Sequence, residues 1–84
     1  MQSMVQHSAA VRAAIESLGG TIAVAAALVD GGRRIDLAGL ERDCAVLCAA
    51  VMTLDMPEAR RLRPALEDLL FRVNGLAARL DPPD

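Results

Sequence analysis

Aliphatic residues recur along this chain at steps of three and four, in three separate runs. In the last run Leu62, Leu66, Leu69, Val73, Leu76 and Leu80 step by 4, 3, 4, 3 and 4. The first run keeps the same rhythm through Met4, Ser8, Val11, Ile15, Leu18, Ile22, Ala25 and Val29. Between them Leu37, Leu40, Cys44, Leu47, Val51 and Leu54 do likewise. Residues three and four apart lie on one helix face, so each run predicts a helix with a single apolar stripe. The predicted helices cover about 3–29, 37–53 and 56–80, and Asp81-Pro82-Pro83-Asp84 leaves a frayed tail.

The punctuation agrees with these bounds. Gly31-Gly32 follows the first run and supplies the left-handed residue that a helix C-terminus wants. Asp36 is a good N-cap for the second helix. Asp55 with Glu58 three residues later has the form of a capping box, and Pro57 sits in the first turn, where its missing N–H is harmless. Gly19-Gly20 lies inside the first run, at a cost of about 1 kcal/mol per glycine relative to Ala. The phase is kept across it, which favours one helix over two with Thr21 capping the second. Pro64 interrupts the last run, and there the unbroken phase favours one helix kinked near Pro64. With two short connections, the expected fold class is all-α: an antiparallel helical hairpin or three-helix bundle with a long first helix and a single domain over 1–84.

The back of the first helix is unusual for a solvated surface. Ala9, Ala13, Gly20, Ala23 and Ala27 are small and uncharged, and between Glu16 and Asp30 no charge occurs. This predicts that the helix is covered on more than one side, as the middle of a bundle or as a self-association face.

Composition thins the expected core. Of 84 residues 54% are hydrophobic, yet alanine dominates and Phe71 is the one aromatic, so the area buried per residue is small. A chain this short gains from a partner or a second copy. The eleven acidic residues outnumber nine basic ones, all Arg, for a net charge of -2. That balance argues against nucleic acid and anionic membrane surfaces. Lys-free, Ala- and Arg-rich usage fits a bacterium with a GC-rich genome. The apolar run Leu18–Val29 holds 12 residues, short of the ~20 a spanning helix needs, with Glu16 and Arg12 just before it. A cleaved signal is disfavoured because no basic region precedes Arg12. Stable membrane insertion is therefore not expected.

Candidate chemistry is sparse. Cys44 and Cys48 stand one helical turn apart, with the distant His7 as the one histidine, so neither a four-ligand metal site nor a redox Cys-x-x-Cys pair can be assembled. They read as buried thiols in a reducing, cytoplasmic setting. GGRR lacks the strand, the spaced glycines and the Lys of a phosphate loop and reads as a turn. His7 reads as a solvated helix-end side chain, and Glu67 and Asp68 as a solvated face. Arg60, Arg61 and Arg63 have acidic neighbours and no interleaved aromatics, which weakens a nucleic-acid reading. No enzyme activity, cofactor or metal is expected. Phe71 falls opposite the leucine seam, leaving two readings open: an added core contact around a bent helix, or an anchor for a partner.

From Val29 onward the residues Gly32, Leu37, Leu40, Leu47, Pro57, Glu58, Leu62, Arg63, Pro64, Leu66 and Leu69 form a recognisable order. A Gly turn, a short Leu-patterned helix, a Pro-Glu helix start and a Leu-Arg-Pro stretch lead into a Leu-repeat helix. Over about residues 28–80 this resembles the flagellar type III export chaperones of the FlgN/FliT type. The resemblance implies a cytoplasmic helical protein holding an amphipathic helix of an export client in an apolar groove. An under-filled apolar helical surface suits that mode. The expected contact band is Leu66, Leu69, Leu70, Phe71 and Val73, with Arg60, Arg61 and Arg63 as rim charges. The alternative is a non-catalytic homodimer that self-associates through Ala9, Ala13, Gly20, Ala23 and Ala27.

Overall fold

The computed structural model describes residues 4–80; the first expected helical residue and the tail 81–84 lie outside them. Three helices follow in order: α1 Met4–Asp30, α2 Leu37–Met52 and α3 Met56–Leu80. Among the described residues there is no strand. The all-α, three-helix expectation is what the chain adopts, with α1 the longest helix at 27 residues.

The ends are set by local chemistry. After α1 the Arg33 N–H reaches back to the Leu28 carbonyl at 2.8 Å and the Gly32 N–H to Val29 at 3.0 Å. This pair of bonds is a Schellman closure, and it requires a left-handed residue, which Gly32 provides at φ 79°. Asp36 caps α2, its Oδ1 accepting the Gly39 N–H at 3.0 Å. A Cβ at Gly39 would stand 2.5 Å from Asp36 Oδ2, so a larger residue there would push the capping carboxylate out of place. At the other end the Thr53 hydroxyl donates to the Ala50 carbonyl at 2.6 Å, and the next residue, Leu54, turns inward to join the core.

Two interior doubts from the sequence are settled. α1 runs unbroken through Gly19-Gly20, and α3 is one helix through Pro64. Gly19 faces α3, where an added Cβ would meet Leu69 at 3.7 Å and the Arg72 guanidinium at 3.6 Å. Arg72 also donates to the Gly19 carbonyl at 3.2 Å. The glycine thus sits at a helix contact, but not at one that excludes alanine.

The helices run up, down and up. α1 and α3 start together, where Ser8 bonds Glu58, and end together, where Arg79 pairs with Asp30. α3 packs most extensively against α1 and α2, which touch each other least. The core is the three stripes interlocked: Val11, Ile15, Leu18, Ile22 and Ala25 from α1, Leu40, Cys44, Leu47 and Val51 from α2, and Leu62, Leu66, Leu69, Val73 and Leu76 from α3. Ser8, in phase with the α1 stripe, is buried with them and is satisfied by its bond to Glu58. Glu58 is therefore not the reciprocal partner of an Asp55 capping box; its carboxylate is shared between Ser8 and Arg61. At the start of α3 the Ala59 N–H is met by the Asp55 backbone carbonyl at 2.9 Å.

The back of α1 is not covered within the chain. Ala9, Ala13, Gly20, Ala23 and Ala27 are all exposed, so α1 is not the middle of a bundle. The result is a rod of 47 × 21 × 17 Å with one shared core.

Candidate partner-binding groove

The leucine seam of α3 has been spent on the core. Leu69 and Val73 are 2% and 3% exposed, and Leu66 is buried with them. Leu70 is half-buried at the boundary with α2. Phe71 points the other way and is 78% exposed, on the outer face of α3. Of its two sequence readings, the core contact is excluded by this exposure. The five apolar residues expected to form one contact band are thus divided among core, boundary and outer surface, and the structure does not bring Phe71 together with Leu66, Leu69 or Val73. All three arginines of the expected rim are exposed, with Arg61 bonded to Glu58 at 3.0 Å and Arg63 to Glu67 at 2.7 Å.

What the fold does assemble is a groove along the α2–α3 seam. One part, of about 500 Å³, is lined by Ala45, Cys48, Ala49 and Met52 of α2 and by Leu70 and Asn74 of α3, with Cys44 and Val73 as its floor and Glu41 at its end. A separate pocket of about 300 Å³ lies on the same two helices nearer the α2–α3 turn, between Val51, Met56, Ala59, Arg60, Arg63 and Leu66. Helical phase explains the lining. Ala45, Ala49 and Met52 lie beside the Cys44–Leu47–Val51 stripe, so packing against α3 leaves them on its rim. Their small size keeps the groove open, while Met52 stands out from it at 85% exposure. Methionine is unbranched and polarizable and suits surfaces that accept varied apolar partners. In the sequence the groove is marked by Ala45, Ala49 and Met52, apolar positions beside the α2 stripe, whereas the contact band was expected on α3, whose stripe carries larger side chains.

A second apolar surface lies on α1. Its five small residues share the exposed side with Val24, and Leu28 is 40% exposed beside them. By length and composition the stretch Gln6–Asp30 is also apolar enough to cross a membrane, with 22% of its most apolar window buried in the bundle. That buried part is the stripe closing the core over α2 and α3.

His7 is half-buried, and its Nε2 lies 3.0 Å from Thr53 Oγ1. Since the Thr53 hydroxyl proton goes to Ala50, the histidine is the donor and carries its proton on Nε2. Cys44 is buried and Cys48 half-buried, both as free thiols. Burial, followed by the neighbouring Cys48, Asp43 and Glu41, pushes the Cys44 thiol above its ordinary value of 9.0. That suits an inert core residue and opposes a nucleophile. Among the described residues no three His, Cys, Asp or Glu side chains converge to hold a metal. No protein-family model, curated protein or solved structure matches the chain.

Proposed function

We propose that this protein works by binding, holding an amphipathic helix of a partner protein in the α2–α3 groove, in the manner of an export chaperone or adaptor in the cytoplasm. The observation that carries this reading is the groove itself. It is apolar, about 500 Å³ in its main part, flanked by a protruding methionine and backed by a complete core. Helix-in-groove recognition needs such a surface, with anchors at one-turn spacing supplied by the partner. The contact residues then shift from the α3 seam to Ala45, Cys48, Ala49, Met52 and Leu70, with Arg60 and Arg63 on the rim. The flagellar chaperone resemblance over about 28–80 supports the same class of activity. Membrane insertion of α1 is disfavoured, because it would strip the core of Ile15, Leu18 and Ile22 and expose the leucines of α3.

The test is a comparison of wild type with Ala49→Arg in affinity capture from the source cell, with helicity and Tm measured alongside. Ala49 is exposed, so the substitution leaves the fold in place. A client retained by wild type and lost by the variant supports the groove; the same captured set for both proteins removes it.

A second reading is favoured by one specific observation. Ala9, Ala13, Gly20, Ala23 and Ala27 share the exposed side of α1 and no charge occurs between Glu16 and Asp30. Small residues allow close approach of another helix, so this face suits a non-catalytic homodimer. Sedimentation of Ala13→Arg and Ala23→Arg at micromolar concentration tests it: a dimer dissociated by both supports self-association through α1, and a mass unaffected by either rules it out.

A further inference from the structure

The geometry points to a groove occupant with opposite charges at its two ends: an amphipathic helix with an acidic residue over Arg60 and a basic residue over Glu41. This rests on the reading of the α2–α3 groove as the binding surface. Glu41 lines the larger pocket where α2 begins, and Arg60 and Arg63 line the smaller one farther along the same pair of helices, near the α2–α3 turn. The interior between them, at Ala49, Met52 and Leu70, carries no charge. Arg63 is already paired with Glu67. Arg60 and Glu41 have no ion pair among the described residues. The rim therefore presents one unmatched positive and one unmatched negative charge, separated by about four turns of helix, roughly 20 Å. Charges at the rim of an apolar surface set orientation and partner choice more than total affinity, because each rejects its like. A helix with the same sign at both ends makes one favourable and one repulsive contact, while a dipolar helix lying in one direction matches both.

The probes are three labelled synthetic helical peptides of roughly 14 residues, about four turns, sharing one Leu/Ala face. Their terminal turns carry Glu and Lys, Glu and Glu, or Lys and Lys. Fluorescence anisotropy at low salt is measured with the full chain as wild type, Arg60→Glu, Glu41→Arg and Ala49→Arg. Wild type is expected to prefer the dipolar peptide by about three- to five-fold, the scale of an exposed charge pair. Arg60→Glu should switch the preference to the Lys/Lys peptide and Glu41→Arg to the Glu/Glu peptide, and Ala49→Arg should lose all three. Equal affinities in wild type, or a preference that the reversals do not switch, overturn the charge assignment and leave the groove standing. Binding absent altogether, or indifferent to Ala49→Arg, overturns both. A dimer that Ala49→Arg dissociates and that no peptide displaces gives the groove to a second copy and likewise overturns the inference.

Discussion

Ser8 and Glu58, fifty positions apart, are joined by a 2.8 Å hydrogen bond from the buried serine hydroxyl to the carboxylate. This bond clamps the start of α1 to the start of α3, and Arg61 balances the remaining carboxylate oxygen at 3.0 Å. Hydrogen bonds to charged groups contribute about 1.5–3 kcal/mol, and burial of one partner keeps the figure in that range. Ser8→Ala should therefore lower unfolding stability by about 1.5–3 kcal/mol in urea titration. His7→Ala, removing an exposed bond to Thr53 in the same region, should cost less. Equal losses would contradict the role given to burial.

Two large side chains of α3 at opposite extremes of exposure, Leu62 and Phe71, should behave oppositely. Leu62 is 1% exposed, so Leu62→Ala removes fully packed methyl groups and should cost about 2–5 kcal/mol. Phe71, at 78% exposure, has little burial to lose, and Phe71→Ala should change stability by less than about 0.5 kcal/mol. Denaturant midpoints with unchanged slopes check both. A large loss at Phe71 would mean that it is covered in solution, and its concentration dependence would show whether by a second copy.

Glycine substitutions probe the long helices in a graded way. A Cβ at Gly20 or Gly75 meets nothing within 4 Å, so alanine there should stabilise by about 1 kcal/mol through helix propensity alone. At Gly19 the new methyl makes ordinary contacts with Leu69 and Arg72, and the gain should be similar. At Gly39 it collides with the Asp36 cap, and Gly39→Ala should destabilise. Thermal unfolding followed by far-UV circular dichroism orders the four variants. A destabilising Gly20→Ala that appears only at high protein concentration would identify close helix packing across the back of α1.

Thiol chemistry should separate the two cysteines. Cys44 is buried with its thiol held above 9.0, whereas Cys48 borders the open groove. Brief iodoacetamide treatment near pH 8 should modify Cys48 well before Cys44, and unfolding in urea should remove the difference, as read by peptide mass spectrometry. The same shift has a stability consequence. The folded chain keeps the Cys44 proton to higher pH than the unfolded chain does, so its contribution is intact below pH 9.0 and is lost as pH rises beyond it. Cys44→Ala should flatten that alkaline decline. A decline that persists unchanged would assign it to other groups.

Much of the architecture was readable from local pattern. The stripes Val11–Ala25, Leu40–Val51 and Leu62–Leu76 became the core because a 3.6-residue period leaves one face to bury. Asp36 and Gly32 became cap and closure because their chemistry acts within one turn. The candidate site was less readable. A seam as regular as Leu66–Leu69–Val73 suggests a contact band equally well for a partner or for the chain's own helices, and periodicity carries no information about which. Phe71 shows the same limit, since its phase placed it opposite the seam but not whether another element would cover it.

The sequence by itself determined three helices, their ends and the residues on each buried stripe, because these follow from backbone geometry and side-chain polarity over a few neighbouring positions. Tertiary structure decided how the stripes were spent. It tied Glu58 to Ser8 in place of a local cap, left the Ala/Gly back of α1 bare, and opened a groove between Ala49, Met52 and Leu70. These outcomes depend on which helix faces meet and how closely. That is set by the summed packing of three elements, which no single stretch of the chain contains.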